Sequence, residues 1–373
     1  MALTKHITAK RTVLAAMALL VFFVPAVILQ AVEGGAIDKI RAKDVLNDDD
    51  LWTIDRFIAQ SIQEIVNGTD FTTVSRIRAG IVSRASATSE SSAVQYSKQF
   101  TESVHKHLAK GLADAANIES GELKFKVTVN LLILADELGN PRLTDLVVTQ
   151  IDSKNEAIRY WAVRFMTNPQ VLEQLKQSSG NPELAEQVIK RLKKIVDSAG
   201  SETLALAAEF AGKIGTAQAD ELLLQTADMR IKKYADWTVA DSIADLAVLG
   251  ALADRMSDTG SAELCRRFCQ LYSYAIQRYI ANMKNGRFLS QIQTDQLATL
   301  LIETEKSFIG KFTGIQQNTI RRAIEAKDYV MLWAEHNRLL GDESKIGEIP
   351  AKLKFDYGNK RIYPLMLPER PAA

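Results

Sequence analysis

The chain has 373 residues, 47% of them apolar and 24% charged, with 46 basic against 45 acidic side chains. That length allows two conventional domains or one elongated array, and that composition excludes bulk disorder. A net charge of +1 supplies no long-range field toward nucleic acid, and two cysteines are too few for a disulfide scaffold.

At the amino terminus Lys5, Lys10 and Arg11 precede the uncharged run TVLAAMALLVFFVPAVIL at 12–29, which reads as an export signal. Two fates stay open. Small residues at Gly34 and Ala36 suit a signal peptidase that would leave Ile37 first, with cleavage after Ala31 less well supported because Leu29 precedes it. Alternatively the charge-free stretch from Thr12 to Val32 is long enough to span a bilayer and be retained as an anchor. Either way residues 1–36 are set apart as signal peptide or anchor, and the rest is expected outside the cytoplasm, periplasmic or secreted. Membrane contact is expected only through residues 12–32 if the signal is retained.

Residues 37–93 read as an amino-terminal helical cap and loop. In DDDLWTIDRFIAQSIQEIV the residues Leu51, Ile54, Ile58, Ile62 and Ile65 form one helical stripe. The acids before it cap the helix rather than bind calcium, for the spaced ligands and glycine of a calcium loop are missing. SRASATSESSA at 83–93 is a loop. From 94 to 340 the spacing predicts a helical array, with long helices over 94–116, 124–138, 236–256, 261–284, 294–309 and 315–340. LKFKVTVNLLIL is the one stretch where strand competes with helix, and its neighbours favour helix. NPQVLEQL and NPELAEQVIKRLKKIV each place an Asn cap before a proline at the first helical position. Cys265 and Cys269 share one helical face, where a bridge would be strained, so they read as small buried apolar residues. Residues 183–349 contain no proline, whereas 341–373 contain four and no long stripe, which predicts an extended tail packed along the body.

LADELGNPRLTDLVV at 134–148 aligns with FAGKIGTAQADELLL at 210–224, matching Ala135 with Ala211, Leu138 with Ile214, Gly139 with Gly215 and Leu146 with Leu222. The offset is about 76 residues, two units of about 38, and Gly250 lies about 35 further on; such a period is that of two-helix solenoid units. LTDLVVTQIDSKNEAIRYWAVRFM then resembles a HEAT-type repeat junction: an apolar helix (Leu143, Leu146, Val147, Ile151), a polar turn (Asp152, Ser153, Asn155, Glu156), then Ile158, Arg159, Ala162, Phe165 and Met166. The resemblance covers residues 124–256. It implies an all-α fold, an α-α superhelix or solenoid of antiparallel helix pairs of HEAT or armadillo type, and pairing of Arg159 with Asp152 or Glu156.

No constellation carries catalysis. Ser103-x-x-Lys106, with SGN at 179–181 and KFTG at 311–314, echoes penicillin-recognising serine enzymes but lacks their Lys-Thr-Gly element and its strand. Glu102-x-x-His105 occurs once where a di-iron bundle needs it twice, His105 and His107 diverge on a helix, and His336 has only Glu335 beside it, so a solvated or capping role is expected of these histidines rather than a metal. Asn67-Gly68-Thr69 matches a glycosylation acceptor, which matters only in a eukaryotic secretory route. Neither a metal site, a cofactor site nor a catalytic residue is assigned. Candidate partner-binding residues are Arg159, Trp161 and Arg164, and the aromatic-basic run Arg266, Arg267, Tyr272, Arg278 and Tyr279, because Tyr, Trp and Arg anchor interfaces. The function expected is a non-catalytic scaffold or adaptor that binds another protein, with no nucleic-acid partner. The alternatives are a glycan-binding or carbohydrate-active helical toroid, which would need a cleft joining Tyr272, Tyr279, Trp237 or Trp333 to two carboxylates, and an envelope component held by its amino-terminal helix.

Overall fold

The computed structural model describes residues 34–176, 182–284 and 288–371. Of the expected signal or anchor at 1–36, residues 1–33 therefore lie outside the described residues, and among those described no helix is long and apolar enough to cross a membrane. The fold is all-α. Among the described residues there is no strand, only an isolated bridge between Gly341 and Ile346. The chain divides into two compact units, Met1–Leu143 and Thr144–Ala373.

In the first unit a helix over 34–41 buries Ile37 and Ile40. Then come α1 (Asp48–Asn67), α2 (Phe71–Val82), α3 (Ala93–Ala116) and α4 (Gly121–Leu138). The start of α1 is capped as the sequence indicates: Asn47 accepts from the Asp50 N–H at 2.9 Å, while Asp50 in the first turn accepts from the Asn47 N–H at 3.1 Å, a reciprocal capping box. The α1 stripe Ile54, Ile58, Ile62 and Ile65 is buried, and α1 packs chiefly on α3. Helix α3 thus belongs to this unit, beyond the loop at 83–93. Gly111 lets the two helices close, since a Cβ there would meet Ile62 at 2.9 Å. The ambiguous segment is α4, ended by Gly139 in the left-handed conformation at φ 57°.

Short helical turns over Pro141–Leu143, Thr144–Val147 and Val148–Asp152 precede α5 (Glu156–Met166), α6 (Pro169–Lys176), α7 (Pro182–Ile195), α8 (Ser201–Ile214) and α9 (Ala217–Ala235). After these follow α10 (Ile243–Thr259), α11 (Ala262–Lys284), α12 (Gln291–Thr304), α13 (Thr319–Glu325), α14 (Tyr329–Leu340) and α15 (Glu348–Leu353). Within the second unit alternate helices fall into two layers. One is α5, α8, α10 and α12; the other is Val148–Asp152, α7, α9, α11 and α14. Helices α8 and α10 have the most extensive contact, because Ala207, Ala208, Ala211 and Gly212 leave room: a Cβ on Gly212 would meet that of Ala251 at 2.9 Å. Gly215 reverses the chain between α8 and α9 at φ 68°, matching Gly139. Gly250 does not continue that series, for it sits inside α10 against Phe308, and the left-handed cap there is Gly260.

Several polar contacts between successive helical pairs share one spacing or come near it. Arg191 with Asp152, Arg159 with Ser198, Arg267 with Asp228 and Arg278 with the Val239 carbonyl are each 39 residues apart, and Arg255 with Asp220 is 35 apart. Arg159 also pairs with Glu156, whose other oxygen accepts from the Gly200 N–H and the Thr203 hydroxyl.

Three boundaries depart from the spacing. The helix expected from 236 begins at Ile243, because Trp237 adopts φ 59° and closes α9 with its N–H on the Tyr234 carbonyl. The expected helix over 315–340 is two, since Lys327 turns left-handed at φ 53° and Asp328 caps α14 through the N–H groups of Val330 and Met331. Past Thr304 the helix widens into a π turn at Glu305–Ile309, which lets the buried Glu305 carboxylate accept the Ile320 and Arg321 N–H groups that open α13.

Candidate functional site

Helix α11 is buried along most of its length, being packed by α9, α10, α12 and α14. Its apolar residues account for that, yet Gln270, Ser273 and Gln277 lie among them on the buried side. Gln270 and Gln277 find partners in a segment distant in sequence. The Leu365 N–H donates to Gln270 Oε1 at 2.8 Å and the Leu365 carbonyl accepts from Gln270 Nε2 at 3.1 Å. Gln277 Nε2 donates to the same carbonyl at 3.2 Å, while Gln277 Oε1 accepts from the Leu367 N–H at 2.7 Å. Trp237 Nε1 donates to the Pro368 carbonyl at 3.0 Å. The carboxy-terminal tail is thus strapped along α11 in the same direction as the helix. Arg266 fixes its start through the Asp356 carbonyl and carboxylate.

The loop 236–242 that carries Trp237 is held from below. Asp245, fully buried, accepts from Arg230 Nε at 2.5 Å, Arg230 Nη2 at 3.0 Å and the Tyr234 hydroxyl at 2.8 Å, while Arg230 Nη2 also donates to the Asp241 carbonyl at 2.6 Å. Arg278 stacks between Tyr234 and Trp237, 5.7 and 5.9 Å from the ring centroids, and donates to the Val239 carbonyl at 2.8 Å. Burial lowers the Arg278 pKa and raises that of Tyr234 well above the usual phenol value, Asp245 adding to the latter. Trp237 meets Phe288 edge to face at 5.5 Å, and Arg370 lies 4.5 Å over the Phe288 ring.

Between the loop, the end of α11, the start of α14 and the strap lies a cleft of about 730 Å³. Its aromatic walls are Trp237, Phe288, Tyr329 and Trp333, its strap wall is Met366 to Arg370, and Lys284 stands over the Tyr329 ring at 5.1 Å. Trp333 is backed by His336, stacked at 4.8 Å. His336 is buried, its Nε2 facing Ser273 Oγ at 2.8 Å and its Nδ1 facing Asn337 Oδ1 at 2.9 Å; burial lowers its pKa to about 4. This corrects the solvated or capping role expected of it: at neutral pH it is an uncharged support for Trp333. Among the described lining residues Glu369 is the sole carboxylate, so the paired acids of a glycoside hydrolase do not meet here. Lys284 and Arg370 make no ion pair among the described residues, which leaves the cleft cationic. Aromatic faces, two cations and amide groups suit stacking, apolar burial and carboxylate pairing. No group of three or more His, Cys, Asp or Glu side chains among the described residues is placed to hold a metal ion.

The candidate partner-binding residues are dispersed. Arg159 is buried and engaged by Glu156 and Ser198, Tyr272 is fully buried with its hydroxyl on the Leu301 carbonyl, and Arg278 and Tyr279 are buried. As corrections, these four offer no exposed contact surface: Arg159 fastens two helices, and Arg278 underlies Trp237. Arg266 and Arg267 share Glu263, and Arg267 also grips Asp228. Trp161 is half-buried against Tyr160 with exposed Arg164 over its ring at 4.9 Å, well apart in sequence from the cleft-lining residues. Cys265 and Cys269 are free and buried, as expected, and burial pushes the Cys265 thiol up to about 11. The tail lies along the body as its composition indicated, but sequence reasoning missed Gln270, Gln277, Phe288 and Tyr329, and with them the surface on which the tail is strapped. Gln270 and Gln277, two helical turns apart in an apolar helix, were the legible signal. Comparison with protein-family models and with curated proteins finds no match to this chain.

Proposed function

We propose that this is a non-catalytic extracytoplasmic scaffold or adaptor, built as a HEAT-like helical-repeat protein, that binds an extended segment of a partner protein in the aromatic cleft. The 39-residue spacing of cross-helix contacts supports the repeat reading, since equal sequence steps between equivalent contacts are what stacked two-helix units generate. One observation carries the binding reading: four aromatic residues and two cations without carboxylate partners among the described residues line a cleft beside a backbone segment already held in extended form. Export rests on the charge pattern of residues 1–36.

Glycan binding is the second reading, because Trp and Tyr faces also stack on sugar rings. Sugars need several hydroxyl-reading side chains, and the cleft offers Gln277, Lys284, Glu369 and Arg370, of which Gln277 is engaged by the strap. An acidic, proline-containing peptide matches the walls better. Titrating the full chain with such peptides and with oligosaccharides, followed by tryptophan fluorescence, separates the two. Saturable binding of an acidic peptide is expected, weakened about tenfold or more by Tyr329→Ala or Trp333→Ala. Response to oligosaccharides alone, or to neither, overturns the scaffold reading.

A further inference from the structure

We propose that the strap, residues 365–371, is an internal ligand, and that the groove along α11 is a receptor for extended, proline-containing peptides that becomes free when the strap swings away. This deepens the binding reading above and rests on it. Every hydrogen bond described between α11 or Trp237 and the strap joins a receptor side chain to strap main chain. Such contacts read an extended backbone followed by a proline carbonyl, not one particular set of side chains. The strap's own Leu365 and Met366 are 46% and 52% exposed, so it adds little to the core.

A hinge precedes it. Gly358, Asn359 and Lys360 all have positive φ, at 91°, 53° and 61°. Two successive non-glycine residues in that region store strain next to the segment that would move. Trp237 is itself left-handed at a helix end where glycine is the unstrained choice, and its ring supplies the indole N–H that meets Pro368. A tryptophan donor beside a proline-containing extended chain is the chemistry by which aromatic grooves take such peptides.

The test uses the full chain and a fluorescently labelled synthetic peptide with the sequence of residues 361–371. Leu365→Pro with Leu367→Pro removes the two strap N–H donors and frees the strap. The labelled peptide is expected to bind this variant at least about tenfold more tightly than the unaltered chain, because the closed strap withholds the site. Adding Gln270→Ala and Gln277→Ala to the variant is expected to abolish binding. Equal affinity for both chains, or none for the freed one, overturns the proposal. If acidic peptides still bind the unaltered chain in that event, the cleft reading stands and only the internal ligand falls. Hydrogen exchange on the unaltered chain is an independent check: the Leu365 and Leu367 amides are expected to exchange well before the α11 amides, and matched protection also overturns it.

Discussion

Asp245→Asn tests the support of the cleft most directly. The carboxylate is fully buried and accepts from Arg230, 2% exposed, twice and from Tyr234 once. The amide keeps one acceptor oxygen but no charge, so the Arg230 guanidinium stays buried with only the Asp241 carbonyl on its far side. Removing one member of a buried pair costs about 3–5 kcal/mol, and the retained oxygen places this substitution near the lower end. With a urea slope of about 2–3 kcal/mol per molar for a unit of this size, the midpoint falls by about 1 M. The assay is equilibrium unfolding followed by tryptophan fluorescence, to which Trp161, Trp237 and Trp333 report from the second unit and Trp52 from the first. Arg230→Met with Asp245→Leu is expected to recover part of the loss, because no unpaired charge remains. A midpoint for Asp245→Asn within about 0.2 M of the unaltered chain refutes the reasoning, since a slope of that size makes such a shift under about 1 kcal/mol.

Two further predictions follow. His336 has its folded pKa lowered from 6.5 to about 4 by burial, so between those values the unfolded chain binds the extra proton. Its contribution is therefore complete above pH 6.5 and declines as pH falls toward about 4, by up to about 3 kcal/mol; His336→Gln should flatten that part of the stability curve, and identical pH slopes would contradict it. Gly212→Val should destabilise the second unit by about 1–3 kcal/mol, since even its Cβ would meet Ala251 at 2.9 Å, and a thermal midpoint unchanged by the valine would show that α8 and α10 separate freely.

What the sequence displayed was local. Asn47 with Asp50, Asn168 before Pro169, and Gly139 and Gly215 at helix ends are signals read within one turn of chain, and each marks a real boundary. The missed breaks at Trp237 and Lys327 have the opposite character. Both residues are left-handed without being glycine, so no glycine announces them; the first turn is held by the buried Asp245 through Arg230, while the second is followed at once by the cap Asp328, a local signal overridden by the apolar spacing on either side of it. Periodicity likewise gave α11 its faces but not their coverings. Tyr272 and Tyr279 looked like interface anchors because sequence cannot reveal that four helices surround them.

The covering of α11 also explains its composition. An amide buried without partners costs about 1–3 kcal/mol, so Gln270 and Gln277 would each weaken an apolar helix if nothing met them. The helix carries them because a main chain lies alongside, and main chain is the one partner whose donor and acceptor spacing does not depend on sequence. Trp237 follows the same logic. A left-handed non-glycine residue costs about 1–2 kcal/mol, offset here by Arg278 on one face of the ring system, Phe288 at its edge and Pro368 on its nitrogen. Polar groups inside α11 and strain at the loop thus point to one requirement, an extended peptide held at this surface, and the strap meets it in the closed chain.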